Sequence, residues 1–345
     1  MLYYLRVLGN SLAVGQRTLD PPGKVRILLP QPEKVSNIHE RKMKPELIVD
    51  YQCHLGEGPI WHPFEKRIYW LDISRGLIFW LDPATKEHRI CYEGETVGGM
   101  TIQKDGTLLL FMAKGTIAIW RDGQLEQVIS EIPEVRESRF NDVIADPVGR
   151  VFCGTLSTEK RLGRLYRLNT DGSITTILED VKVSNGMGFS PNCKHMYHTD
   201  SRVRKIYLFD YDQNNGNLTN RHVFVETPAN EGAPDGMTVD AEGYVWSARW
   251  GAGILVRYTP QGVEQTRIQF PARKVSSVTF GGEDYTDLYV TTAGGHNKSE
   301  EGQGAGALFR LRPGVRGVPE FFSRVGLQIL PQTIESNDSS EAPFV

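Results

Sequence analysis

One short pattern occurs six times along the chain. A small polar loop enters a short apolar run, and the run ends in a turn rich in acidic residues, Gly or Pro. The clearest copy is Pro234-Asp235-Gly236-Met237-Thr238-Val239-Asp240-Ala241-Glu242-Gly243. The other copies start at Glu57, Gly98, Asn141, Asn185 and Ser276, so that successive starts lie 41, 43, 44, 50 and 41 residues apart. A strand-rich unit repeated at this spacing is the signature of propeller blades. The expected fold is therefore all-β, a six-bladed β-propeller with four short antiparallel strands per blade.

Each copy is followed by two further strand-like runs. They are Arg67 to Asp72 and Leu77 to Asp82 in blade one, Thr107 to Met112 and Thr116 to Trp120 in blade two, and Arg150 to Gly154 and Arg164 to Leu168 in blade three. Lys194 to Thr199 and Lys205 to Tyr211 follow in blade four, Tyr244 to Ala248 and Ile254 to Tyr258 in blade five, and Asp287 to Thr292 and Gly306 to Arg310 in blade six. The ring must close, because an open one leaves unpaired strand edges. Glu46-Leu47-Ile48-Val49 is expected to latch it by pairing with the last blade, with Pro319-Glu320-Phe321-Phe322 a competitor for that place.

Residues 1–42 stand outside the repeat and are expected to be an N-terminal extension, with Val25 to Leu29 as an added edge strand. Residues 43–330 form the propeller, and 331–345, rich in Asn, Ser and Glu, a flexible tail. Met1 to Leu5 lacks the charged start and long apolar run of a signal peptide. The net charge of −3 gives no reason to expect nucleic acid or an anionic membrane as partner. The four cysteines are scattered and make neither a disulfide framework nor a zinc-ribbon spacing. They read as small apolar side chains in a reducing, cytoplasmic setting, in a monomer or weak homodimer.

The innermost strand of each blade lies nearest the ring axis, so its entry loop opens at one mouth of the central channel. Four of the six entry positions carry a carboxylate or carboxamide oxygen: Glu57, Asn141, Asn185 and Asp235. Oxygen donors of this kind suit a hard divalent cation. Asn and Asp are also ordinary turn residues, but Glu57 is a poor one, and turn preference does not explain one register shared by four blades. Trp246 is expected to pack between blades, and Trp250, nearer the loop, to wall the pocket. His195 and His198 are expected to sit on opposite sides or at an edge of blade four. His296 with Glu301 is expected at the pocket mouth.

Cys53-His54-Leu55-Gly56-Glu57-Gly58-Pro59-Ile60-Trp61, Arg139-Phe140-Asn141-Asp142-Val143, Ser184-Asn185-Gly186-Met187 and Pro234-Asp235-Gly236-Met237 together resemble the gluconolactonase family, which includes senescence marker protein 30 and related sugar lactonases. The resemblance spans about residues 46–312. It implies a six-bladed propeller with one divalent metal at the head of the channel and a small-molecule sugar lactone as substrate. It implies that Glu57, Asn185 and Asp235 are the metal ligands, that Asn141 reaches the metal or binds substrate beside it, and that Arg139 binds substrate. Glu159 matches a glutamate that binds sugar hydroxyls in some members. Ca²⁺ is the expected ion, with Mn²⁺, Fe²⁺ and Zn²⁺ left open by the ligand types. Two features depart from the family: the loop Ser157 to Arg164 is short and basic, and the N-terminal extension is long.

Lactone hydrolysis builds negative charge on the carbonyl oxygen, which a cation at the channel mouth stabilises. Asp235 is then the candidate general base, and Arg139 a donor to the developing charge. The rivals are an organophosphate or bulky-ester hydrolase on the same metal, favoured by aromatic pocket walls, and a non-catalytic calcium-binding propeller.

Overall fold

The computed structural model describes residues 17–20, 24–27 and 43–326. They fall into two compact units dividing between Lys44 and Pro45. In the first, Arg17–Asp20 pairs antiparallel with Lys24–Ile27 in a two-stranded hairpin. The strand expected around Val25 exists, but its partner is the neighbouring strand of its own hairpin rather than the edge of a larger sheet. The tail expected at 331–345 lies outside the described residues.

The second unit is a six-bladed β-propeller of six four-stranded antiparallel sheets. Its inner strands are Gly56–His62, Val97–Ile102, Phe140–Ala145, Ser184–Phe189, Ala233–Val239 and Val275–Gly281. The second and third strands of every blade fall within a residue or two of the runs expected from sequence. That precision follows from the packing. The inner three strands of a blade are sandwiched between neighbouring blades, so Arg67–Asp72, Leu77–Leu81 and Leu108–Met112 are apolar on both faces. Outermost strands such as Gln124–Ile129 face solvent and are largely exposed.

The core is accordingly a set of layers between blades. Tyr69, Ile78 and Trp80 of blade one pack against Met100, Leu110 and Ala118 of blade two. Trp70 and Phe79 on the other face of blade one pack with Tyr289 and Leu308 of blade six. Trp246 is fully buried between blades five and six, edge-on to Phe280 and donating its indole N–H to Asp240 at 2.9 Å. Acid-Gly turns close the inner strands. Asp240 Oδ1 accepts the Glu242 and Tyr244 amides, and Asp146 Oδ1 does the same for Val148 and Arg150.

The ring closes as expected. Glu46–Asp50 is the fourth strand of the sixth blade, pairing Val49 with Leu308 and Leu47 with Phe309. Pro319 to Phe322 does not compete for that place. The segment 316–326 instead crosses the end of the channel remote from the entry loops. Ala241 N–H donates to Arg316, Gly317 N–H to Tyr285, Lys104 N–H to Ser323 and Arg324 N–H to Gly149. These bonds tie blades five, six, two and three together, and Phe322 stacks on Phe64 of blade one. Glu320 and Phe321 line the channel itself.

The two-unit division predicts that removing residues 1–44 leaves a protein with one cooperative melt. Val49→Asp places a charge at a buried latch position and should lower stability by about 3 kcal/mol or more. Chemical denaturation of the truncated protein and of the variant checks both. A truncated protein without a cooperative transition contradicts the division.

Candidate active site

At the mouth of the channel the entry loops surround a cavity of about 350 Å³. Glu57, Arg139, Asn141, Asn185 and Asp235 line it together with Leu55, Leu156, Val183, Ser201, Arg202, Ala233 and Trp250. Five of the six expected site residues therefore meet in one place, and Trp250 walls it. Glu159 does not reach it: the residue is exposed in the turn that Thr158 N–H closes on Arg161. His54 and His296 pack edge to face, 5.0 Å between ring centres, and neither lines the cavity; Glu301 is paired with Lys274 at 2.7 Å. His198 is buried against Ser184 Oγ at 2.8 Å, and His195 stands half-exposed beside Asp210.

A shared backbone device positions these side chains. Each of the six inner strands breaks register with its neighbour at the entry position: between Glu57 and Ile60, Val97 and Gly99, Phe140 and Val143, Asn185 and Met187, Pro234 and Met237, and Val275 and Ser277. Such a bulge leaves residues unpaired and re-aims them. The strand can then enter the closely packed ring while the preceding side chain looks into the cavity. Asn141 and Asp142 both fall within their bulge. Asn141 faces the cavity, while Asp142 lines the channel below it. Glycines allow the close approach of adjacent inner strands: a Cβ at Gly186 would lie 2.6 Å from the Asp235 carbonyl oxygen.

Two aspartates hold the loops from outside. Asp200, ending the second strand of blade four, accepts the amides of Lys182 and Val183 at 2.9 and 3.1 Å, just before Asn185. Asp72 occupies the same place in blade one and accepts the amides of His54 and Leu55 at 2.7 and 3.1 Å, just before Glu57. Nothing in the repeat pattern singled them out, although both occur as an acid closing the second strand.

The polar side chains of the cavity form a directed relay. Arg139 Nη1 donates to Asn141 Oδ1 at 2.6 Å, Asn141 Nδ2 donates to Asn185 Oδ1 at 2.8 Å, and Asn185 Nδ2 donates to Ser201 Oγ at 2.9 Å. Asn141 Nδ2 also reaches the Ser184 carbonyl at 2.8 Å. The Asn141 amide is thereby committed on both ends. Asn185 Oδ1 accepts one bond and keeps a second lone pair.

Glu57 and Asp235 are both buried, and neither forms an ion pair among the described residues. Burial pushes Glu57 well above the usual carboxylate range, with Asp235 and then Asp142 adding repulsion. Burial likewise raises Asp235, and Asp142 adds to it against the pull of Arg139. Two buried carboxylates without a cationic partner, beside an amide oxygen with a free lone pair, are a donor set that fits a hard divalent cation. Among the described residues no three His, Cys, Asp or Glu side chains form a metal cluster; this set has two carboxylates, and its third oxygen is an amide.

Residues 55–294 match the SMP-30/gluconolactonase/LRE-like region. The chain belongs to that family. It is 47% identical over 287 residues to pentonolactonase XacC of Haloferax volcanii, covering 81% of this chain and 98% of that protein. It is 32% identical over 260 residues to regucalcin of Xenopus laevis, covering 73% of this chain and 87% of that protein. Among solved structures, a calcium-binding protein, regucalcin from Agrobacterium tumefaciens, superposes with a TM-score of 0.75 at 25% identity, over 81% of this chain and 97% of that one.

Below the cavity Asp142 and Glu320 share the channel. Burial pushes Asp142 up to about 7, opposed by Arg139, and pushes Glu320 up to about 7, reinforced by Asp142 and opposed by a Thr279 hydrogen bond. An acid raised on folding binds more protons folded than unfolded between its two pKa values. Stability then falls as pH climbs from the ordinary carboxylate range through about 7. Glu320→Gln removes that loss. Its melting temperature should exceed that of the parent by about 3 °C or more at pH 8.5 and match it at pH 5. Equal melting temperatures at both values would show that Glu320 ionises freely.

Proposed function

We propose that the protein hydrolyses the lactone of a sugar acid to the open hydroxy acid, with a divalent cation, Ca²⁺ foremost, held by Glu57, Asn185 and Asp235. The observation that carries this reading is the pair of buried carboxylates, neither in an ion pair among the described residues, at the wall of a cavity that also presents a guanidinium. The 47% identity to a protein named a pentonolactonase supports it, and the likeness to the Agrobacterium regucalcin, a calcium-binding protein, supports the ion. The lining supports a sugar over a bulky ester. It holds two arginines, two asparagines and a serine, and Trp250 is its one aromatic side chain among the described residues.

A bound divalent cation would supply Lewis-acid polarisation of the lactone carbonyl. The rest falls to the chain. Asp235, charged when that cation is present, accepts a proton as water adds to the carbonyl carbon. The ring C–O bond then breaks, and the same carboxyl returns the proton to the departing alkoxide. Arg139 has committed one nitrogen, Nη1, to Asn141 and the Phe140 carbonyl. Its Nε and Nη2 donors are without protein acceptors among the described residues and remain for the substrate's oxygens. Leu55, Leu156, Val183 and Ala233 exclude bulk water from the carbon skeleton.

The two duties of Asp235 separate in variants. Asp235→Asn keeps an oxygen donor of the same size, so it should hold the ion more weakly and turn over about 10² slower or worse at saturating metal. Asn185→Ala should lose chiefly metal affinity and regain part of its activity with excess ion. Turnover of a sugar-acid lactone is measured against metal concentration for both. Recovery of Asp235→Asn to near parental turnover would leave Asp235 a ligand only.

A further inference from the structure

Two guanidinium groups line the cavity, those of Arg139 and Arg202. Arg139 stands among three carboxylates, those of Glu57, Asp142 and Asp235, and commits Nη1 to Asn141.

Arg202 has no ion pair of its own among the described residues. It belongs to the short helical turn Ser201–Val203 of blade four. The turn is tied at both ends. Ser201 Oγ receives the Asn185 amide at 2.9 Å, and Arg204, in a left-handed conformation with φ 58°, donates to the Gly232 carbonyl. Asp200, immediately before the turn, accepts the Lys182 and Val183 amides and no bond from Arg202. The backbone at Arg202 is thus fixed at the cavity wall, while its guanidinium has no hydrogen bond or ion pair among the described residues. The equivalent turn of blade one gives the contrast. Its arginine, Arg75, one position further along the turn than Arg202, bonds Asp72 at 2.6 Å and the Tyr51 carbonyl at 3.1 Å. The residue aligned with Arg202 there is Ser74.

We infer that Arg202 is a specificity-determining residue, which selects lactones carrying an anionic group, such as phosphate, sulfonate or carboxylate, at the end remote from the reacting carbonyl. This rests on the lactonase reading and narrows its substrate class. Arg139 serves the reacting end, being locked to Asn141 and hence to Asn185. Arg202 lies on the wall with side-chain donors left over, and its planar fork matches a tetrahedral or carboxylate anion in two-point contact. Because Arg202 is exposed at the rim, its pairing is screened and acts on capture more than on the chemical step.

The test uses the full-length protein loaded with divalent metal and two lactones of the same ring, glucono-δ-lactone and 6-phosphoglucono-δ-lactone. The parent should favour the phosphorylated lactone in kcat/KM by about tenfold or more at low ionic strength, and less as salt is added. Arg202→Ala should erase that preference through KM, Arg202→Lys should keep part of it, and Arg202→Glu should invert it. No preference in the parent, or an equal fall for both lactones in Arg202→Ala, overturns the inference while leaving the lactonase reading intact. Turnover of neither lactone overturns the lactonase reading. Calorimetry with gluconate and 6-phosphogluconate then decides the inference by itself. Binding of the phosphorylated acid about tenfold tighter, and lost in Arg202→Ala, upholds an anion-selecting Arg202; equal binding of the two acids refutes it.

Discussion

The ladder between Glu46–Asp50 and Ala307–Leu311 joins the two ends of a circular array. Without it the sixth blade has three strands, and the faces of blades one and six lose the packing of Val49 with Trp70, Tyr289 and Leu308. An open ring can spread at its axis. A closed one fixes the distances between inner strands, and the cavity is made wholly of residues on or beside those strands. The oxygens of Glu57, Asn185 and Asp235 come from three blades, so their spacing is a property of closure rather than of any local loop. A functional site drawn from distant segments gains rigidity in this way, each donor being set on a packed element instead of a mobile one.

That rigidity is bought against electrostatics. Three carboxylates, those of Glu57, Asp142 and Asp235, stand within range of one another and of Arg139, and burial acts on all four groups. Left alone they disfavour their own ionisation. The Arg139 guanidinium, held by Asn141, answers part of the repulsion, because it attracts all three carboxylates without pairing with any of them. Natural proteins accept local strain of this sort where chemistry is done, and offset it in the surrounding core. Here the offset lies in the aromatic layers between blades, where Trp70, Trp80, Trp246 and Phe111 are completely buried.

Much of this was legible in the sequence because the repeat imposes one register on every blade. Once Asp235, Asn185, Asn141 and Glu57 are aligned, their convergence follows from the geometry of a ring, and the strand runs follow from two-sided burial. What escaped was whatever breaks the repeat. Asp142 lies beside Asn141, yet strict alternation cannot tell that a bulge sends one to the cavity and the other to the channel. Glu320 belongs to a segment with no counterpart in the other blades, so no alignment of repeats could place it under Asp142. Asp72 and Asp200 looked like ordinary strand ends. Glu159 was placed by likeness to a longer loop, and in the short turn here its side chain faces solvent. Arg202 differs from all of these: it stands where blade one has Ser74, so the repeat gave it no meaning, and only its place in the cavity lining without an acceptor among the described residues made it conspicuous.

The latch also has a consequence for how the chain is made. Glu46 and Arg310, which pair across the closing ladder, are 264 positions apart. During synthesis from the N-terminus, the strand Glu46–Asp50 emerges first and its partner emerges last. Blades one to five can form in order from contacts local in sequence, but blade one keeps a naked flank, with Trp70 and Phe79 uncovered, until the final blade leaves the ribosome. Non-local pairings of this length are slow to find, and the exposed intermediate is prone to association. A nascent chain of this design therefore passes most of the propeller's synthesis as an incomplete ring, and the ring closes only once Ala307–Leu311 has emerged.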